Sequence, residues 1–544
     1  MGFMKPFKSM PTLSFRIGPF KFKRKRVAPP FDSARYLIPD IVHLICEQAH
    51  QDSHLRSVLC ILARTSRLFH EPAISYLWSG QDDIIPLIQC LPQDAWSIRN
   101  RTGAPRYMYI ERDLLPSNLS RVLFYARFIR KLQVPVKNIP PIIAFPLRDM
   151  ADALQGRLLL PNIEELDWSP PNDFEFPYLL FYLGPRIKRL KISLLSVDEP
   201  SLSDLVPCLY EWKLAERYPS LRSFQINSCH TNNLDLIDAE SHIICGLFQL
   251  QVLSADGLTP KAFQHVENLS GLWQLTLGNI SATSLASTPT ATPNASATFP
   301  ALREANLAFE HAVIGPTLLQ RMSRSPLMKL NLRMNCIWDV EEGNRLFRIL
   351  QAHPTARQSL QSLKLTSCER TPFGGNGGVV DPTTLGIDAL RHLLVFANLS
   401  TVHLGLANGF DLNDSEVEEM AQAWPQLASL SLRSPEVTPE QRPRLTLKGL
   451  ILLGQKCPRL LRILDITLDA SAESLAGAQS FLGDAEANQT LCWVNIGSSP
   501  IDDREQVFSF LGTAFPHLMS IYGIIMQSGR PASVSLWYRC RRRP

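Results

Sequence analysis

The sequence contains little that points to catalysis, metal binding or membrane insertion. It has no H-E-x-x-H or G-x-S-x-G motif and no Gly-rich turn between a strand and a helix, which are the signatures of common proteases, hydrolases and nucleotide-binding enzymes. Its 11 Cys residues form no C-x-x-C pair, and the closest two, Cys46 and Cys60, lie 14 positions apart. No apolar run approaches the roughly 18 residues of a transmembrane helix. We therefore expect no enzyme, no cofactor, no metal site and no membrane span.

The N-terminal residues do not resemble a signal peptide. We therefore expect reduced, mostly buried thiols and a location in the cytoplasm, the nucleus or both.

Positive charge is concentrated at the two ends of the chain. The formal net charge is +5, but the first 31 residues carry eight basic and no acidic residues, most of them in the run from Lys21 to Arg26, and the last six residues carry four arginines, among them Arg541, Arg542 and Arg543. With the twelve basic residues of these clusters set aside from the 55, the chain carries 43 basic against 50 acidic residues. A mildly acidic body argues against a groove that binds nucleic acid. The basic N-terminal run is interpreted as disordered charge, with a nuclear import signal or a lipid contact as alternatives.

What the chain does contain is a short apolar phrase, L-x-x-L-x-L, that recurs between residues 129 and 521. Five good copies begin at Leu221, Leu272, Leu327, Leu360 and Leu427. Nine looser copies begin at Ile129, Ile163, Ile187, Leu250, Leu302, Leu399, Leu461, Leu491 and Leu518. Successive copies are 22 to 39 residues apart, a period typical of solenoid proteins. The pattern favours a long binding surface over a catalytic pocket.

Each copy alternates apolar and polar residues and so predicts a strand with one buried side. In the twelve copies from Ile163 to Leu491, the residue between the last two apolar positions is always polar: Asp167, Lys191, Gln225, Ser254, Thr276, Asn306, Asn331, Lys364, His403, Ser431, Asp465 and Asn495. Stacked strands would place these side chains along one concave face of a parallel sheet. Nine of them are predicted to bind a protein target: Asp167, Lys191, Gln225, Asn306, Asn331, Lys364, His403, Asp465 and Asn495.

The connections between the strands are expected to be helical or irregular. The clearest helix begins near Ser415, where Ser415 and Glu418 have the spacing of a capping box and Val417, Met420 and Trp424 share one helical face. Two inserts, Ser281–Thr298 and Thr371–Gly386, are predicted to be loops because they are rich in Ser, Thr, Pro or Gly.

These phrases resemble the leucine-rich repeat family. Three copies extend to the longer phrase of that family and end in Cys229, Asn335 and Cys368. The resemblance implies that these side chains satisfy backbone groups where the strand turns away. It also implies an α/β fold, an irregular leucine-rich-repeat solenoid over residues 126–530. An ordinary α/β domain with several Leu-rich strands is the alternative, because the spacing is uneven.

Residues 36–78 predict three short amphipathic helices, with a polar break at residues 51–54 and a third helix that begins near Glu71 and Pro72. This segment resembles the F-box-like segment of many fungal proteins, in the phrases at residues 38–45 and 62–70 and in Leu77-Trp78. F-box proteins dock on the Skp adaptor of a cullin ubiquitin ligase. The resemblance therefore implies an adaptor-binding set of Leu37, Ile38, Pro39, Ile41, Val42, Ile45 and Trp78. Alternatively, the three helices only cap the solenoid, as the ends of solenoids require.

The sequence thus predicts five segments: a basic tail (1–35), an F-box-like segment (36–80), a helical linker or cap (81–125), the solenoid (126–530) and a basic tail (531–544). The function expected from the resemblance is that of a substrate-recognition subunit of a Skp–cullin–F-box ubiquitin ligase. Its partners would be the adaptor, the cullin ligase and an unknown protein target. The alternative is a leucine-rich-repeat scaffold that binds proteins without any ligase.

Overall fold

The computed structural model describes most of the chain. The described residues are 39–52, 56–100, 106–134, 145–169, 173–195, 197, 200–228, 232–285, 298–335, 340–367, 384–406, 409–433, 442–457, 462–482, 488–497, 499–523, 525–527 and 530–532. The N-terminal tail, residues 533–544 of the C-terminal tail and the adaptor-site residues Leu37 and Ile38 lie outside these ranges, as do Cys229, Cys368 and most of the two inserts. The chain divides into two compact units, Met1–Leu77 and Trp78–Pro544.

The described helices number twenty. They are α1 (Pro39–Gln51), α2 (Arg56–Thr65), α3 (Arg67–Ser79), α4 (Ile85–Ile88), α5 (Ser120–Ala126), α6 (Phe145–Leu154), α7 (Leu179–Tyr182), α8 (Leu202–Glu211), α9 (Leu214–Arg217), α10 (Leu234–Cys245), α11 (Pro260–Glu267), α12 (Ala282–Leu285), α13 (Ile314–Arg321), α14 (Val340–Gln351), α15 (Ala356–Ser359), α16 (Ile387–Leu390), α17 (Asp414–Ala423), α18 (Leu447–Lys456), α19 (Ala472–Leu482) and α20 (Arg504–Ala514).

The strands are β1 (Gly80–Gln81), β2 (Trp96–Asn100), β3 (Arg106–Ile110), β4 (Lys131–Val134), β5 (Glu165–Trp168), β6 (Arg189–Ser193), β7 (Ser223–Asn227), β8 (Val252–Ala255), β9 (Gln274–Ile280), β10 (Glu304–Phe309), β11 (Lys329–Met334), β12 (Ser362–Ser367), β13 (Thr401–Gly405), β14 (Ser429–Arg433), β15 (Ile463–Ile466), β16 (Trp493–Asn495), β17 (Ser520–Tyr522), β18 (Ile525–Gln527) and β19 (Arg530–Ala532).

The first unit contains the three helices that the sequence predicts. Their common core is Cys46, Ala49, Leu59 and Ala73. The third helix begins at Arg67, not near Glu71 and Pro72 as expected, and it contains Pro72 in its interior. The reason is local: Ser66 Oγ accepts a hydrogen bond from the Leu68 N–H at 3.2 Å and so caps an earlier start.

The second unit is built on one parallel sheet of fifteen strands in the order β1-β4-β5 and onward to β17, with β1 and β17 at its open ends. Each of the fourteen apolar phrases contains one strand, from β4 to β17. The prediction of an α/β fold with a long parallel sheet is confirmed. The phrase did not predict β1, which pairs with β4, or the antiparallel hairpin β2–β3 within the expected helical linker.

The apolar side of the strands faces the connecting helices. Strand residues such as Leu275 and Leu332 and helix residues such as Phe263, Leu346 and Met420 are buried in one continuous hydrophobic cluster. Buried apolar side chains of this size stabilise a fold by about 1.5–3 kcal/mol each. A single strand or helix cannot bury its own apolar side, so each repeat depends on its neighbours.

Polar caps fix where several connecting helices begin. In α17 the cap is Asn413, whose side chain accepts the Glu416 N–H at 3.0 Å while Glu416 Oε2 accepts the Asn413 N–H at 2.8 Å. The capping box predicted at Ser415 and Glu418 is therefore wrong, because Asn413 and Glu416 provide the same spacing two residues earlier. The predicted apolar face of α17 is confirmed, since Val417, Met420, Ala421 and Trp424 are buried.

Two details of the repeats differ from expectation. Asn335, which was expected to satisfy backbone groups at a buried turn, is exposed. The first residues of the predicted insert at 281–298 form the short helix α12.

One backbone carbonyl before each strand accepts two N–H groups from the next repeat. Arg130 O accepts the Glu164 and Glu165 N–H groups at 2.7 and 2.9 Å, and Cys492 O accepts those of Met519 and Ser520 at 2.8 and 3.3 Å. The same double acceptance occurs at every junction from β4 to β17. The two donor positions are the second and third residues of the apolar phrase, so they must have N–H groups and cannot be Pro.

We predict that Ser400→Pro destabilises the second unit by on the order of 3 kcal/mol, because it removes the N–H that Gln361 O accepts at 2.8 Å. The control is Ser400→Ala, which removes a hydroxyl bonded to the same carbonyl at 3.1 Å and keeps the N–H. Chemical denaturation of both variants measures the difference. Equal losses of unfolding free energy would contradict the importance of the backbone donor.

Candidate functional site

The strand register brings the predicted target-binding residues into one row. Cα partners run from Asp167 to Lys191 and Gln225, and in the same way through every strand to Asp465 and Asn495. We call the side of the sheet that carries this row the open face. It includes the residues two positions before and after the row in the same strands, because alternate side chains of a strand point the same way.

The part of the open face nearest the N-terminus is charged but internally neutralised. Lys191 Nζ lies 2.7 Å from Asp167 Oδ2 in the neighbouring strand. Glu165 Oε1 lies 3.0 Å both from Lys131 Nζ and from Arg189 Nη1. Exposed pairs of this kind contribute at most about 1 kcal/mol each to stability, so their main effect is to cancel the local field.

In the middle of the row, from Gln225 to Asn331, the side chains are polar and uncharged. Asn331 Nδ2 donates to Asn306 Oδ1 at 3.0 Å, and Ser254 Oγ donates to Asn227 Oδ1 at 3.0 Å. These side chains therefore satisfy one another across the strands and leave part of their capacity for a ligand.

The part nearest the C-terminus is less accessible than alternation suggests. Asp465 is only 6% exposed and accepts the Ser431 hydroxyl at 2.9 Å, and Asn495 Oδ1 accepts the Gly497 N–H at 3.0 Å. The expectation that the whole row is exposed is wrong for Ser254, Ser431, Asp465 and Asn495, which are all buried. Alternation assigns a side chain to a face but does not measure how far its neighbours cover it. Asp465 and Asn495 have roles in holding the face together.

The predicted adaptor-binding residues of the first unit fall into two groups. Pro39, at the start of α1, and Ile41 and Ile45 are exposed. Val42 is 1% exposed and belongs to the interior, so it supports α1 and cannot contact a partner directly. Leu44, which was not predicted, is 61% exposed, and its position three residues after Ile41 is the signal that places it on the same helical face.

Helix α1 is therefore apolar on two sides. One side packs Val42, Cys46 and Ala49 inward, and the other presents Ile41 (42% exposed), Leu44 and Ile45 (39% exposed). An exposed apolar stripe on a short helix is typical of a protein-binding surface.

Trp78 has a structural role in the second unit. Its ring stacks on Tyr125 with the ring centroids 4.6 Å apart and an interplanar angle of 21°. The ring is half-buried, and this stacking contact lies within the second unit; the place of Trp78 in the adaptor-binding set stays a prediction.

The titratable side chain with the most perturbed environment is Glu240 of α10, which is fully buried. Its Oε2 accepts the Asp256 N–H at 3.1 Å. Burial and then the nearby Asp256 charge hold the pKa of Glu240 well above its usual range. Sequence reasoning missed it, although its position four residues after Leu236 and three before Ile243 puts it on the buried side of the helix.

Glu240 shares the buried side of α10 with Leu236, Ala239 and Ile243. Among the residues that the structure describes, no group of three His, Cys, Asp or Glu side chains is placed to hold a metal ion. No helix in the same ranges is long and apolar enough to cross a bilayer. Burial raises the pKa of the Cys457 thiol to about 11, which leaves it unreactive near neutral pH.

No protein-family model matches the sequence, and the curated proteins contain no match to it. The function is therefore inferred from the geometry of the open face and of α1.

We predict that Glu240 makes the free energy of unfolding fall as pH rises. Its pKa is higher in the folded than in the unfolded chain, so its contribution is complete below about pH 4.3, the usual Glu pKa, and declines as pH rises through the folded pKa. Glu240→Gln removes the ionisation, and the variant should lose less stability between pH 5 and pH 8 than the wild type. Urea denaturation at several pH values measures this.

The matched control is Asp238→Asn, an exposed carboxylate of the same helix. It should leave the pH dependence of the wild type in place. If Glu240→Gln and the wild type have parallel stability–pH curves, the assignment of a raised pKa to Glu240 is wrong.

Proposed function

We propose that this chain is a substrate-recognition subunit of a Skp–cullin–F-box ubiquitin ligase. In this proposal α1 docks on the Skp adaptor, and the open face of the leucine-rich-repeat-like second unit holds a protein target. The observation that carries the proposal is the exposed apolar stripe of Ile41, Leu44 and Ile45, which has the composition and helical spacing of a groove-binding helix face.

The division of α1 into two apolar sides supports this proposal physically. Val42, Cys46 and Ala49 secure the helix to its own unit, so the opposite side is held in one conformation before a partner arrives. A rigid helix loses little conformational entropy on binding, which favours affinity from a small contact area.

The open face supports the second half of the proposal. A row of side chains in register across many strands offers separate polar contacts over a long surface, and such surfaces suit protein targets better than small molecules. A subunit of this kind performs no chemistry. It acts by raising the effective concentration of target lysines near the ligase.

The test is capture of a purified Skp-type adaptor by the full chain. We predict that the triple variant Ile41→Gln, Leu44→Gln and Ile45→Gln loses at least about 30-fold in affinity, since apolar interface anchors commonly contribute about 2 kcal/mol or more. Gln keeps the helix propensity high and the side chains exposed, so the fold is retained. Isothermal titration gives the dissociation constants.

The control is the double variant His43→Ala and Glu47→Ala, two exposed polar positions that point away from Ile41 and Ile45 on the helix. It should bind the adaptor as the wild type does. If the wild-type chain fails to bind the adaptor although circular dichroism shows its helices intact, the ligase role is wrong, and a repeat scaffold without ligase or a helical cap on the solenoid is favoured.

A further inference from the structure

Two cations on the open face form no ion pair among the described residues, whereas several other charged side chains there do. Lys131, Glu165 and Arg189 pair with one another, Asp167 pairs with Lys191, and Glu304 pairs with Lys329 at 2.7 Å. Arg333 of β11 and Lys364 of β12 are both exposed, and neither has an ion pair among the described residues.

Arg333 and Lys364 lie close together. Arg333 is the Cα partner of Thr366, and Lys364 is two residues earlier in the same strand β12. Strand spacing and rise place the two Cα atoms roughly 8 Å apart. Both side chains are long enough to converge on one anion.

Beside these cations the open face has a recess at Gly405 of β13. A Cβ placed on Gly405 would lie 3.6 Å from Thr366 Cγ2 and 3.7 Å from His403 Nε2. Any larger side chain would fill this space, so glycine leaves room above the backbone between the Thr366 and His403 side chains.

The strand positions around these two cations have no acidic side chain on the open face. The open-face residues of β11, β12 and β13 contain no carboxylate: they are Lys329, Asn331, Arg333, Ser362, Lys364, Thr366, Thr401, His403 and Gly405. Glu304 of β10 is already bonded to Lys329. Glu310, two residues after Ala308, the Cα partner of Arg333, accepts a hydrogen bond from Asn279 Nδ2 at 3.0 Å.

We propose that Arg333 and Lys364, together with the recess at Gly405, bind a glutamate- or aspartate-rich extended segment of the protein target. This proposal rests on the proposed function and adds the chemistry of the target. Guanidinium and ammonium groups bind carboxylates through charge-assisted hydrogen bonds, and an extended segment presents alternate side chains to one face.

A peptide fits this surface better than a nucleic acid does. A nucleic acid needs a continuous positive track with stacking aromatic rings. Here the two uncompensated cations occupy adjacent strands, the pairs toward β4 are neutralised, and the open-face positions of β11 to β13 include no Phe, Tyr or Trp ring.

The experiment measures binding of labelled twelve-residue peptides to the full chain by fluorescence anisotropy. The probes are an alternating Ser-Glu peptide, the matching Ser-Gln peptide and a Ser-phosphoserine peptide, with a twelve-nucleotide oligouridine for comparison. We expect the Ser-Glu peptide to bind at least 10-fold more tightly than the Ser-Gln peptide. The difference should shrink as salt rises from 50 to 300 mM, because exposed charges are screened.

The decisive variant is Arg333→Gln with Lys364→Gln, which should reduce the preference for the Ser-Glu peptide to less than 2-fold. The matched control is Arg189→Gln with Lys191→Gln, which removes two cations of the same face that are paired within it. The control should keep the preference, since β6 lies six strands from β12, several Debye lengths away. Arg333 and Lys364 are both exposed, so the thermal unfolding of the Arg333→Gln, Lys364→Gln variant should be little changed.

Each result decides the proposal. Equal affinity for the Ser-Glu and Ser-Gln peptides, or an equal loss in both double variants, overturns it. Binding of the phosphoserine peptide without the Ser-Glu peptide overturns the assignment to carboxylates, and tighter binding of oligouridine overturns the assignment to a peptide. The adaptor measurement is independent: a chain that selects the Ser-Glu peptide but fails to bind the adaptor keeps this proposal and loses the ligase role.

Discussion

The second unit depends on one repeated backbone contact, the carbonyl that accepts two N–H groups from the following repeat. The contact recurs from Arg130 to Cys492 at every junction of the sheet from β4 onward. It occurs in the same register at each of these junctions, and a slip of one residue would exchange the buried and open faces. The apolar core and the polar row are both consequences of that register.

Much of this architecture could be predicted because its signal repeats. Fourteen copies of one phrase average out the ambiguity of any single short strand, and each copy corresponds to a strand. Strand β1 has two residues and the hairpin β2–β3 has no copy of the phrase, so neither had a periodic signal. The start of α3 was misplaced because Pro72 resembles a first-turn residue, whereas the cap at Ser66 is decided by one local hydrogen bond.

The candidate site could be predicted only as far as which side of the sheet each residue occupies. Alternation put Lys191, Lys364 and Asp465 on one face, but their ion pairing and solvent exposure differ. Lys191 is neutralised by Asp167 in the next strand, Asp465 is covered, and Lys364 is exposed without an ion pair among the described residues. These differences depend on which residues become neighbours across strands. Lys191 and Asp167, for example, are 24 positions apart in sequence. Spacing within one phrase does not contain that information.

Leu285 and Thr298 border residues 286–297 of the first insert. Arg321 holds both of them, one through its side chain and the other through its backbone carbonyl. Arg321 Nη2 donates to Leu285 O at 3.1 Å, the Thr298 hydroxyl donates to Arg321 O, and the guanidinium is anchored on Glu267 at 2.9 Å. Because these anchor points are fixed by the repeats, a change of chain length between them need not displace the strands on either side. This makes the segment a natural point for grafting, where a reporter domain or an epitope could be inserted while the stacking of the repeats on either side is preserved.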